Sequence, residues 1–235
     1  MWVKHEHFAR YDFAAGYVKD KIVVDCACGS GAGTARFAAA GAKEIFALDA
    51  SSESIEEAAN KNVNQQVRFT VGDATATKLP AAFADVFISL ETIEHIDADK
   101  VFLTEVQRVL KPDGIFICST PNREIVNPGR GLAAKPWNQF HVREYSTREF
   151  AELLGAHFKQ VELFGQNPQF KPLAAMLGAL GKVLPAHGAV RMNQCLKLPR
   201  LIYDTQARHR VLPAADGALF EYSVALCRGP RAGRA

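Results

Sequence analysis

Apolar residues fall along this chain in short runs separated by polar, helix-favouring stretches. Val23-Val24-Asp25-Cys26, Glu44 to Asp49, Gln66 to Val71, Phe83 to Leu90 and Ile115 to Ser119 read as strands of a buried sheet. Helical patterns occupy residues 1–20, Thr34 to Ala40, Ser52 to Asn62, Asp99 to Leu110 and Ser146 to Leu154. Strand and helix therefore alternate, which predicts a mostly parallel sheet with helical crossovers. Two later strands, Lys159 to Phe164 and Leu219 to Cys227, flank a segment at about 166–217 that is too long for a hairpin loop. Within it, Lys171 to Leu184 is apolar enough for a packed or surface-seeking helix, so a substrate cap or homodimer element is expected, with peripheral membrane association second. The first twenty residues read as a lid helix ahead of the first strand.

Chemistry enters where the first strand runs into Ala27-Cys28-Gly29-Ser30-Gly31-Ala32-Gly33. A glycine loop between strand and helix lets backbone N–H groups approach a ligand at the carboxyl edge of the sheet. The spacing Gly29, Gly31, Gly33 differs from the G-x-G-x-x-G of dinucleotide-binding folds, and Asp25 stands on the strand itself. An acid there suits a ligand carrying an ammonium and a sulfonium rather than a pyrophosphate. Asp49 ends the second strand, placed to accept from ribose hydroxyls, and Asp73 follows the third, placed to meet the amino group of an adenine.

Composition narrows the setting. At 235 residues, one domain of 1–235 with decorations is expected, and no staple is needed for folding. No apolar run reaches the roughly 20 residues of a membrane span, and the first residues lack an apolar signal core, so a cytoplasmic location is the expectation. Five cysteines agree with reduced thiols, and Cys26-Ala27-Cys28 lacks the second pair that a zinc site needs. Although the net charge is only +3, the chain from Gly165 onward holds ten Lys and Arg against three Asp and Glu. This basic tail suits a phosphate, a nucleotide, an acidic glycan or an anionic membrane surface, or is simply a solvated face.

The ordered series of motifs resembles the class I S-adenosylmethionine-dependent methyltransferases over about residues 5–165. Asp25 to Gly33 matches their first motif, Asp49 their ribose acid, Asp73 their adenine-side acid, and Leu110-Lys111-Pro112-Asp113-Gly114 the turn before their fifth strand. The resemblance implies a Rossmann-like α/β sandwich: a mostly parallel seven-stranded sheet, helices on both faces and an antiparallel last strand. It implies S-adenosylmethionine held by Asp25, Ala27, Gly29, Gly31, Gly33, Asp49, Ala50, Asp73, Ala74 and Leu90.

A second constellation follows the fourth strand: Glu91-Thr92-Ile93-Glu94-His95, with His141 further on. On a helical turn Glu91, Glu94 and His95 share one face, and carboxylates with imidazoles suit one divalent ion, magnesium, manganese or zinc. The element is similar to E-x-x-E-H in methyltransferases of small-RNA 2′-hydroxyls, where two glutamates and two histidines hold magnesium, and in ubiquinone-pathway O-methyltransferases. Bacterial surface-glycan-associated methyltransferases resemble the chain more widely, through His7-Phe8-Ala9-Arg10-Tyr11, Thr92 to His95 and His141 to Tyr145. Methylating an alcohol requires removal of a proton near the pKa of water, which a bound ion lowers from 15.7 to about 7 in the zinc case. The expectation is an O-methyltransferase acting on a hydroxyl of a sugar or glycan, with metal or a histidine base at Glu91, Glu94, His95 and His141. A phenolic acceptor or an RNA 3′-terminal ribose is the alternative, RNA the weaker because no appended RNA-binding domain is evident. A non-catalytic cofactor-binding assembly protein is the rival of another class. Arg10 and Tyr11 are candidates to cover the methionine end of the cofactor, Trp137 and Phe140 to stack on the acceptor, and His5-Glu6-His7 is a weaker ligand cluster.

Overall fold

The computed structural model describes residues 2–62, 64–169, 179, 210–214 and 219–231, with side chains for all of these but residues 2–5 and 169. The lid α1 (Trp2–Ala15) precedes β1 (Ile22–Cys26), α2 (Thr34–Ala39), β2 (Glu44–Asp49), α3 (Ser52–Lys61), β3 (Val67–Val71) and β4 (Ala84–Leu90). Next come α4 (Asp99–Val109), β5 (Leu110–Pro121), α5 (Arg123–Val126), α6 (Thr147–His157), β6 (Phe158–Gln169), β7 (Leu212–Pro213) and β8 (Leu219–Pro230).

Among the described residues these strands form one sheet in the order β3-β2-β1-β4-β5-β8-β6-β7. The first five strands in that order run parallel, and β8 inserts antiparallel between β5 and β6. The expected sheet of seven strands thus gains an eighth, β7, pairing with Phe164 and Gly165 of β6. Two exposed residues show no alternation of apolar and polar positions, so the sequence pattern could not mark it. Its partner β6 runs to Gln169, five residues past the expected end at Phe164. Apart from residues 166–169, 179 and 210–214, the expected cap at 166–217, with all but one residue of its helix Lys171 to Leu184, lies outside the described residues.

β1 and β4 are buried almost throughout, as expected for central parallel strands covered on both faces. One face packs under α4 and α6 through Phe102, Leu103, Val106, Phe150 and Leu154; the other under α1, α2 and α3 through Tyr11, Ala14, Phe37 and Ile55. Phe87, Phe102 and Phe116 meet edge to face at centroid distances of 5.9 to 6.4 Å. α6 starts from a capping box in which Ser146 and Glu149 each satisfy a backbone N–H of the other. The four-residue α5, capped by Asn122, was not expected. No described helix is long and apolar enough to cross a membrane.

The glycines of the loop after β1 serve different needs. Gly29 has φ +55, and a Cβ there would project into open space. At Gly33 the backbone is ordinary helix, but a Cβ would fall inside the ring of Tyr11 from the lid helix. Gly33→Ala should therefore destabilise the protein by about 1–3 kcal/mol through overpacking. In urea denaturation most of that cost should vanish in a Tyr11→Ala background; undiminished cost in the double variant would contradict the contact.

Candidate functional site

The glycine loop is locked to its neighbours by backbone bonds. Ala27 N and Cys28 N both donate to Leu48 O, at 2.7 and 3.1 Å, and Ala27 takes the left-handed region at φ +63. Gly29 N donates to Asp49 Oδ2 at 2.8 Å, while Ser51 N donates to its Oδ1 at 2.9 Å, so the acid ending β2 is fixed across the loop. Beneath it Asp25 is buried and accepts from Thr34 Oγ1 at 2.6 Å. Burial pushes its carboxyl up to about 7, against the pull of the Thr34 hydroxyl, with the Asp49 charge adding to the rise. Asp73 is exposed at the end of β3 and held below the usual carboxylate range by the backbone N–H and hydroxyl of Thr75. Ala50 is exposed on the same edge and Ala74 packs against the core beside Asp73. Gly31 is buried against α3, and Leu90 is a core side chain whose carbonyl accepts from Thr92 Oγ1.

After β4 the chain turns through Glu91 at φ +55 and forms a single 3-10 turn, Ile93–His95. Ligand atoms of Glu94, His95 and His141 all lie within 4.8 Å of one another. Glu91, expected to share their face, stands apart. Because the turn begins only at Ile93 and Glu91 is left-handed, its carboxylate accepts from Ser119 Oγ at 2.7 Å and lies 3.7 Å from Arg10 Nε. Glu94 is buried and accepts from Thr120 Oγ1 at 3.0 Å. Burial, then the neighbouring Glu91 charge, pushes its carboxyl well above the usual range. A carboxylate in that surrounding calls for a cation.

The histidines are oriented from outside the cluster. His95 Nδ1 lies 2.8 Å from Phe140 O, which only accepts, so Nδ1 carries the proton and Nε2 keeps a lone pair. His141 Nδ1 donates to Glu144 Oε1 at 2.7 Å, and its Nε2 accepts from Asn138 Nδ2 at 2.8 Å. An imidazole that gives its second N–H to a carbonyl or carboxylate is fixed in tautomer and direction, as a metal ligand or a general base requires. Glu144, buried and three residues from His141, is a functional candidate the sequence reading quoted without a role; its signal is the H-x-x-E spacing. Thr120 is another.

Over both groups lies the lid. The buried Arg10 guanidinium sits 4.3 Å from the Tyr222 ring centroid and bonds Gln166 and the His7 ring. His7 thus faces Arg10, and burial with that cation lowers its pKa; the His5 side chain lies outside the described ones. Phe140 is 71% exposed beside His141, and Trp137 is half-buried.

Comparison with known proteins adds the family. Residues 24–118 match the family model described as a methyltransferase domain. A Caulobacter protein named ubiquinone/menaquinone biosynthesis C-methyltransferase UbiE is 34% identical over 175 residues, 68% of this chain and 67% of that protein. The chain belongs to the S-adenosylmethionine-dependent methyltransferases. It is also 33% identical over 156 residues to a Mycolicibacterium smegmatis protein named a probable S-adenosylmethionine-dependent methyltransferase, covering 66% of this chain and 58% of that one. The chain thus spans a little over half the length of that relative. A solved S-adenosylmethionine-dependent methyltransferase from Mesorhizobium loti shares the fold, with TM-score 0.59 and 17% identity over 94% of this chain and 98% of that one. The matched family segment holds the glycine loop, the three strand-end acids and Glu91 to His95, and it stops before His141.

Asp25 carries a stability consequence of its own. A carboxyl whose folded pKa is raised favours the protonated folded state, so stability is lost as pH climbs from about 4 to about 7. Asp25→Asn keeps an acceptor for Thr34 and removes the charge. It should stabilise the cofactor-free protein by roughly 3 kcal/mol at pH 8 and by little at pH 4, measured by urea denaturation at both. Equal effects at both pH values would contradict the raised carboxyl.

Proposed function

We propose that the protein transfers the methyl group of S-adenosylmethionine to a hydroxyl of a sugar or glycan-type acceptor, assisted by a divalent cation held by Glu94, His95 and His141. The convergence of these three side chains, with both imidazoles anchored through Nδ1, carries the reading. Asp25, Asp49, Asp73 and the loop from Ala27 to Gly33 take the cofactor in this scheme, Asp49 meeting the ribose and Asp73 the adenine side. Ala50, Ala74 and Leu90 line the same edge.

The donor set fits the ion: one carboxylate in a surrounding that disfavours an uncompensated charge, and two imidazoles, of which His141 exchanges the exposed Asn138 amide at its Nε2 for the ion. When bound, the cation lowers the pKa of a coordinated hydroxyl and so makes an alcohol nucleophilic near neutral pH. The chain's own residues do the rest. Glu144 and the Phe140 carbonyl hold the rings, Thr120 holds the Glu94 carboxyl, and the lid residues Arg10 and Tyr11 exclude water from the crevice. Alignment of methyl and hydroxyl supplies much of the barrier reduction. Support for a sugar acceptor comes from the exposed ring of Phe140, next to His141, as a face on which a sugar can stack.

A second reading has its own observation. The 2.7 Å bond from His141 to Glu144 is also the arrangement of a general base with an orienting carboxylate, and it needs no ion.

Labelled S-adenosylmethionine offered with sugar, catechol and RNA acceptors, with and without EDTA, separates the readings. Transfer should stop on chelation and return with magnesium or manganese; transfer that survives exhaustive chelation would move the proposal to the histidine base. His141→Ala should reduce turnover by about 100-fold or more while cofactor affinity stays unchanged. Unchanged turnover would exclude both readings, and tight cofactor binding without turnover on any acceptor would favour an assembly role.

Asp25 makes cofactor binding pH-dependent. A bound ammonium or sulfonium favours the ionised carboxylate, so binding releases a proton below about pH 7 and affinity should fall by up to about tenfold per pH unit there. Calorimetry in buffers of different ionisation enthalpy reads the proton; a pH-independent affinity between pH 5.5 and 8 would rule out Asp25 as a partner of the cofactor's positive charge.

A further inference from the structure

The segment leaving the carboxyl end of β5 carries polar atoms that the fold leaves unsatisfied. Asn127 is fully buried, yet neither its amide nitrogen nor its amide oxygen has a hydrogen-bond partner. The buried Nε atoms of Arg123 and Arg130 are equally without one. All three residues belong to one tightly folded stretch: Asn127 N donates to Arg123 O at 2.8 Å, Arg130 N to Asn127 O at 3.4 Å, and the Arg123 guanidinium to Arg130 O. Glu149 balances Arg123 at 2.6 Å, whereas Arg130 has no ion pair among the described residues. The surplus is therefore N–H donors, one uncompensated guanidinium and one amide acceptor. Leaving such groups buried and unmet is costly, and a ligand with oxygens and a neighbouring hydroxyl carries the complementary atoms. A sugar phosphate has both: phosphate oxygens for the guanidinium and amide N–H groups, and a hydroxyl to donate to Asn127 Oδ1.

Position links this stretch to the reaction centre. It follows the edge where Thr120 holds Glu94, runs on to Asn138 and His141, and is tied beyond them by Arg123 N donating to Tyr145 O at 2.8 Å. We propose that Arg123, Asn127 and Arg130 form a subsite for the phosphate of a phosphorylated sugar acceptor. The ligand class rests on the sugar reading above, whereas the binding test does not require turnover.

The probes are inorganic phosphate and a hexose 1-phosphate, followed by phosphorus NMR with the full chain in the absence of cofactor, and glucuronate as a carboxylate competitor. Saturable binding of the hexose phosphate is expected, weakened about tenfold or more in Arg130→Gln and in Asn127→Ala, with S-adenosylmethionine affinity unchanged. Asn127→Ala should also melt no lower than the wild type, because the amide it removes has no partner to lose; a lower melting temperature would mark a structural amide and overturn its role. Should Asn127→Ala fail to fold, that too assigns the amide to the fold, and Arg130→Gln alone decides the anion. No saturable response up to about 10 mM, equal binding in wild type and Arg130→Gln, or preference for glucuronate over the phosphates would overturn the subsite. Phosphate binding without methyl transfer to any acceptor would instead fail the proposed activity and leave the subsite standing.

Discussion

The main-chain carbonyl of Glu94 accepts two backbone N–H groups, from Val142 at 2.8 Å and Arg143 at 3.2 Å, and the second half of the site depends on that pair. It pins a long connection between β5 and α6 onto the turn that ends β4. Without it His141 would belong to a loop; with it, His141 stands beside His95 with ring centroids 4.9 Å apart. The far side of the same connection is held by Asp99 of α4, which accepts from Tyr145 Oη at 2.6 Å and pairs with Arg143 at 2.5 Å. A loop fastened at both shoulders can hold an imidazole in a fixed direction, which either a metal ligand or a base must have.

Buried charge is distributed with a consistent logic. Asp25 and Glu94 are both buried carboxyls whose pKa values burial raises, each with one threonine hydroxyl as a partial compensation. Neither has a direct cationic partner among the described residues, and both stand at the carboxyl ends of adjacent parallel strands, the edge at which ligand crevices form in such sheets. Glu91, one strand-end residue away, does have such a cation in Arg10, and it is turned away from the histidines. The uncompensated carboxyls are the two that the proposed function gives positive ligands; the compensated one braces the lid. Arg130, in the segment after the next strand, is the inverse case: a half-buried arginine with no ion pair among the described residues.

Much of the fold around the β1 loop was legible in the sequence because it depends on local signals. A strand of β-branched residues followed by glycines and three acids at strand ends can be read from spacing alone, and the structure puts Gly29 and Asp49 in direct contact. The acceptor half was harder. Grouping Glu91 with Glu94 and His95 assumed helical periodicity, whereas the backbone at Glu91 turns left-handed and only three residues form a turn. No residue-type pattern announces a positive φ at a glutamate. Glu144 and Thr120 were hidden for a different reason: their roles come from tertiary contact across 26 positions, or from an i, i+3 pair on an irregular loop. Gly33 was read as a ligand-facing glycine, while the structure gives it a steric duty toward Tyr11, 22 positions earlier.

Two consecutive lid residues join the halves. Tyr11 fills the space left by the missing side chain of Gly33 and packs on Phe37 at 5.3 Å, so it seats α1 on the cofactor loop. Arg10, the residue before it, reaches the other way to Glu91, Gln166 and the Tyr222 ring, which sit on β4's end, β6 and β8. Successive residues of a helix point about 100° apart, so one helix can touch both sides of a crevice only when it lies across it. α1 is therefore a crossbar. Anything that lifts it exposes Gly33 and uncouples Glu91 in the same motion, so access to the glycine loop and the electrostatics beside Glu94 change together. The arrangement couples the seating of the lid on the glycine loop to the bracing of Glu91, and it follows from the adjacency of Arg10 and Tyr11 in the chain.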